Sequence, residues 1–82
     1  MVETANDLLI RCTTAARGGA DFQAVWGSIL QGHPLVVSSP FESFTDDERP
    51  LLEVRLINGQ RLIYDPAANQ YSVSWAPRRR PF

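Results

Sequence analysis

The sequence predicts an α+β fold: two N-terminal helices, a short strand and a three-stranded antiparallel meander, with the second helix packed on one sheet face. Three observations predict it. Apolar residues recur at helical spacing up to Leu30 and at alternate positions from Leu51 onward. Glycine and proline stand at the breaks between these patterns. And only one register of the meander places its large apolar side chains on a single face.

The first helix is expected over residues 4–17. Thr4 is a suitable N-cap, and Asp7 is its capping-box partner three residues on. Ala5, Leu8, Leu9, Cys12 and Ala16 form one apolar stripe, and Gly18-Gly19 ends the pattern. Asp21 caps the second helix, in which Phe22, Val25, Trp26, Ile29 and Leu30 fall on one face before Gly32 and Pro34 stop it. Leu35-Val36-Val37 reads as a short strand. Residues 38–50 read as irregular, with Thr45 and Glu48 as a capping box for a single helical turn that Pro50 breaks.

In the meander, Leu52, Val54 and Leu56 alternate with Glu53 and Arg55. A two-residue Asn58-Gly59 loop would put Leu62 and Tyr64 on the wrong face. A three-residue loop, Ile57 to Gly59 with Gly59 left-handed, pairs Val54 with Leu62 and Leu52 with Tyr64. A four-residue loop, Pro66 to Asn69, then pairs Tyr64 with Tyr71 and Leu62 with Val73. Leu52, Val54, Leu56, Leu62, Tyr64, Tyr71, Val73 and Trp75 share one face. The other face, with Glu53, Arg55, Arg61, Ser72 and Ser74, is polar except for Ile63.

With 82 residues the chain is read as one domain over residues 1–76, followed by a flexible, basic tail over 77–82. The formal net charge of −1 gives no general attraction to nucleic acid or to anionic membrane. No apolar run reaches the length of a membrane span, and residues 1–4 lack the basic and apolar regions of a signal peptide. The single cysteine, Cys12, excludes an intramolecular disulfide and fits a reducing compartment, so a cytoplasmic location is expected. All eight basic residues are arginine, a usage that fits an Arg-favouring, Ala-rich bacterial genome.

No catalytic, cofactor-binding or metal-ligating set emerges, and no cofactor is expected. Cys12 lies on an apolar stripe and His33 at a helix end, where each has a structural role, and one Cys with one His makes no ligand set. The acids Glu42, Asp46, Asp47 and Glu48 lack the spacing of a calcium loop. Interleaved with them are Phe41 and Phe44, read either as anchors into the core or as a docking surface.

The function these features imply is a small, non-enzymatic protein-interaction module: a regulator, an accessory subunit, or an inhibitor of phage or mobile-element origin. It would act on a protein partner or as a homodimer, through Phe41, Phe44, Asp46, Asp47, Glu48 and Ile63. The alternative is weak nucleic-acid binding by Arg78, Arg79 and Arg80. A winged-helix arrangement is disfavoured, because Asp46, Asp47 and Glu48 would sit on the recognition helix and repel phosphates.

Overall fold

A computed structural model describes residues 4–75 of the chain. Helix α1 spans Ala5–Arg17. Its capping box forms as the residue types dictate: the Thr4 hydroxyl accepts from the Asp7 amide, and the Asp7 carboxylate accepts from the Thr4 amide. Ala5, Leu8, Cys12 and Ala16 are buried along one side. Helix α2 starts at Phe22 under an Asp21 cap and keeps α geometry only to Val25. Trp26–Leu30 continue it as a π-helical turn closed by the Gln31 amide on the Trp26 carbonyl. Gly27 lowers helix propensity in this turn, and the Ser28 hydroxyl binds the Ala24 carbonyl; both weaken the tighter α ladder.

Four strands follow, β1 (Phe41–Phe44), β2 (Pro50–Arg55), β3 (Gln60–Asp65) and β4 (Gln70–Trp75), in one antiparallel sheet of order β1-β2-β3-β4. The meander takes the register required by its apolar parity. Val54 pairs with Leu62, Leu52 with Tyr64, Tyr64 with Tyr71 and Leu62 with Val73. The Leu56 amide reaches the Gln60 carbonyl across a three-residue loop, with Gly59 left-handed at φ 89°.

Three expectations need correction, all at the first strand and the turn after it. Leu35–Val37 does not form a strand of its own: Val36 makes one isolated antiparallel bridge to Leu56. Residues 38–50 are not irregular; they contain β1 and the turn joining it to β2. Leu35 to Phe44 is in effect one broken edge strand along β2. The Ile57 amide donates to the Leu35 carbonyl and the Val37 amide to the Arg55 carbonyl. Pairing then lapses around Pro40, where the Ser38 hydroxyl takes over as acceptor for the Arg55 amide. The single helical turn expected at Thr45 is a hairpin turn instead. Thr45 and Arg49 pair, the Glu48 amide donates to the Thr45 carbonyl, and Glu48 itself is left-handed at φ 64°. It repeats the geometry of the Ile57–Gly59 loop with a glutamate in the glycine position.

The core lies between the helices and the inner face of the sheet. Leu8, Cys12 and Ala16 of α1, Val25, Leu30, and Val54, Leu56, Leu62, Tyr64 and Tyr71 of the sheet are all buried. Each large apolar member contributes about 1.5–3 kcal/mol of transfer free energy. Phe22 of α2 stacks on Tyr64 at 5.5 Å, and Tyr64 meets Tyr71 at 4.6 Å. The sheet's cover is shared: α1 packs chiefly on β4, with α2 beside it. Trp75, placed on this face by parity, is two-thirds exposed at the end of β4. No described helix is long and apolar enough to cross a membrane.

Candidate functional site

The two edges of the sheet differ. β1 and β4 both end the sheet, but α1 packs on β4, whereas no described helix packs comparably on β1. β1 has no described element on its outer side, and Phe44 is 62% exposed there. Antiparallel strands direct successive residues' N–H and C=O groups alternately toward and away from a neighbour. Thr45 bonds β2 through its backbone, so Ser43 and Phe41 face β2 as well, and Glu42 and Phe44 turn their N–H and C=O groups outward. This is an unpaired hydrogen-bonding edge, the ordinary template for strand addition.

The predicted contact residues do not form one patch. Phe41 pairs with Glu53, which pairs with Ile63, so Phe41 and Ile63 share the outer face with Glu53 between them. Phe44 points to the opposite face. Asp46, Asp47 and Glu48 are exposed in the turn at the end of β1, beside Phe44. What joins these residues is the edge strand itself. Arg78, Arg79 and Arg80, and the tail they belong to, lie outside the described residues.

The outer face is less polar than the meander alone implied, because Phe41 and Leu51 join Ile63 on it. The Arg55 guanidinium sits 5.5 Å from the centre of the half-buried Phe41 ring, a cation–π contact. Glu53 is buried there. Its Oε2 accepts from the Ser43 hydroxyl, and Arg61 Nη1 lies 2.9 Å from Oε1. That ion pair lacks hydrogen-bond alignment at Oε1, and Arg61 Nε is buried without a hydrogen-bond partner. Glu53 thus ties β1 to β3 across β2, an interaction the residue order could not reveal while β1 went unseen.

Next to it an open depression of about 420 Å³ is lined by Thr45, Arg49, Leu51, Ile63, Asp65 and Ser72, among others. Its charged groups neutralise each other, with Arg49 Nη1 3.0 Å from Asp65 Oδ2. Desolvation works to raise the Asp65 carboxyl, but Arg49 and the amides of Ala67 and Ala68 outweigh it and hold the group below the usual carboxylate range. Arg49 is therefore engaged, and the acids of the neighbouring turn keep their net negative field.

Cys12 is buried within the helix–sheet core. His33 Nδ1 accepts from the Leu35 amide, shaping the turn after α2. Among the described residues no three His, Cys, Asp or Glu side chains converge. The chain matches no model of a known family, no curated protein and no solved structure.

Proposed function

We propose that the chain is a protein-interaction module that binds by strand addition, taking an extended, basic segment of a partner along β1. The observation that carries this reading is the open edge itself: outward-facing N–H and C=O groups at Glu42 and Phe44, running into the acidic turn Asp46–Glu48. Main-chain hydrogen bonds supply affinity in this mode, and the flanking side chains supply selectivity. Glu42 and the turn acids favour arginine or lysine opposite them and raise the rate of encounter. The exposed Phe44 ring offers a face for an apolar or guanidinium group. A regulator, an accessory subunit or an inhibitor works by contact of this kind.

Glu42→Pro tests the reading. Proline removes one outward N–H, and on an edge strand this leaves the β1–β2 ladder intact. Affinity capture from the native host with wild type and with Glu42→Pro should return a partner held by the first and lost from the second, at unchanged thermal stability. A partner retained equally by both would refute strand addition at β1.

A further inference from the structure

We infer that the occupant of this edge is the arginine segment Arg78–Arg80 of a second copy of the chain, an inference that rests on the strand-addition reading above. Three features of the sequence and the sheet lead to it.

The first is charge. The edge presents Glu42, Asp46, Asp47 and Glu48, while Arg49 is held by Asp65 and Arg55 by the Phe41 ring. The segment Pro77-Arg78-Arg79-Arg80-Pro81 carries three positive charges and no negative one.

The second is the spacing of its prolines. In an extended strand, residues of like parity turn their backbone groups to the same side. Pro77 and Pro81 share one parity, and Arg78 and Arg80 the other. When Arg78 and Arg80 present their N–H and C=O groups to β1, both prolines face away, where a missing N–H costs no ladder bond. Antiparallel addition with Arg80 opposite Glu42 then sets Arg78 opposite Phe44. The pairs are Glu42–Arg80, an opposite-charge pair, and Phe44–Arg78, a guanidinium against an exposed ring. Both are favourable cross-strand neighbours.

The third is reach, which requires a second copy. Trp75 pairs with Gln60, Leu56 lies across the next turn from Gln60, and Val36 is bridged to Leu56. A strand added outside β1 lies four inter-strand spacings from β4, about 19 Å. The level of Glu42, opposite Leu52, is four residues along β2 from Leu56, about 13 Å more in the perpendicular direction. The diagonal is about 23 Å, whereas the five residues from Trp75 to Arg80 span at most about 18 Å fully extended. A chain's own Arg80 cannot reach its own Glu42. The contact is head-to-tail between copies, a heterologous arrangement.

The test uses two full-length variants with opposite defects. Glu42→Pro keeps the tail and spoils the edge. The triple substitution Arg78→Ser, Arg79→Ser, Arg80→Ser keeps the edge and removes the charges. By sedimentation at low salt, wild type should show a mass above the monomer that rises with concentration and falls on adding salt. Each variant alone should be monomeric, and an equimolar mixture should form a 1:1 complex. Glu42→Arg, an exchange at an exposed position, replaces Glu42→Pro in the same scheme if circular dichroism shows the proline variant misfolded. Wild type that stays monomeric, a triple variant that associates like wild type, or a mixture that stays monomeric would each overturn the inference. A labelled peptide of residues 75–82 and an unrelated peptide of alternating arginine and valine separate the two levels. If only the alternating peptide binds wild type and loses binding to Glu42→Pro, strand addition stands and the tail is not its occupant. If neither binds, both fall.

Discussion

Two three-residue turns of the same geometry offer a matched pair of perturbations. Gly59 closes the β2–β3 turn at φ 89°, and Glu48 closes the β1–β2 turn at φ 64°. A left-handed conformation costs a residue with a Cβ about 1–2 kcal/mol, which glycine avoids. Glycine in turn loses about 0.5–1 kcal/mol more backbone entropy on folding. The difference predicts that Glu48→Gly stabilises the protein by about 0.5–1 kcal/mol and that Gly59→Ala destabilises it by a similar amount. A Cβ at Gly59 would meet only the Trp75 ring at 3.9 Å, an ordinary contact, so the loss there is the backbone's alone. Urea unfolding followed by tryptophan fluorescence measures both. In thermal melts each kcal/mol corresponds to roughly 4–8 °C for a domain of this size. Glu48→Gln is the control, since it removes the charge beside Asp46 and Asp47 but keeps the strain. If Glu48→Gly is no more stable than Glu48→Gln, or if Gly59→Ala is neutral, the turn assignment is wrong.

Four further outcomes are expected. The Tyr71 hydroxyl is buried with no hydrogen-bond partner, so Tyr71→Phe should be neutral or stabilising by about 1 kcal/mol in urea titration; a clear loss would reveal a bond. Burial also pushes the Tyr71 phenol well above its usual range, so the fold favours its neutral form; this contribution is full below about pH 10 and is lost as pH rises further, and Tyr71→Phe should flatten the alkaline limb of the stability curve. Glu53→Ala should cost about 3 kcal/mol because it strands Arg61 and Ser43, whereas Glu53→Leu with Arg61→Met should recover most of it; equal losses in the two variants would exclude a pairing role. The amide and hydroxyl of Thr4 lower the Asp7 carboxyl, and Asp65 is lowered as described, so their contributions are full above about pH 5 and vanish as pH falls below the unfolded value near 4; Asp7→Asn with Asp65→Asn should flatten the acid limb, and an unchanged limb would count against both pairings.

The meander was legible because its register has only one solution that keeps Leu52, Val54, Leu56, Leu62, Tyr64 and Tyr71 together. Helix α1 was legible through Thr4, Asp7 and the Gly18-Gly19 stop. β1 was not, because Phe41-Glu42-Ser43-Phe44 pairs an aromatic with a serine on one face and an acid with an aromatic on the other. Such an edge strand, with an aromatic and a polar residue on each face, carries no apolar–polar alternation to read. Its turn was hidden for a related reason: the left-handed position holds Glu48, where glycine would have announced it. The Thr45–Glu48 spacing therefore resembled a helix cap, although the Thr45 hydroxyl accepts from Arg49 to close a hairpin. For the candidate site, the acids and phenylalanines stood out as residue types, but only the strand between them shows how they are arranged. The π-helical turn left no mark, since Trp26, Ile29 and Leu30 fit the α spacing as well.

The packing of α1 on β4 also sets when the molecule can be completed during synthesis. Each hairpin closes over a few residues and can form as soon as its second strand emerges from the ribosome. The face of α1 that buries Leu8, Cys12 and Ala16 must wait, because its chief partner spans Gln70–Trp75 at the far side of the sequence. Until then α1, made before the sheet, is the last to be covered, and its apolar stripe is open to chaperones and to neighbouring nascent chains. A chain halted before Gln70 would hold three strands and still lack the surface on which its first helix rests, so premature termination there yields a sticky fragment, not a smaller domain.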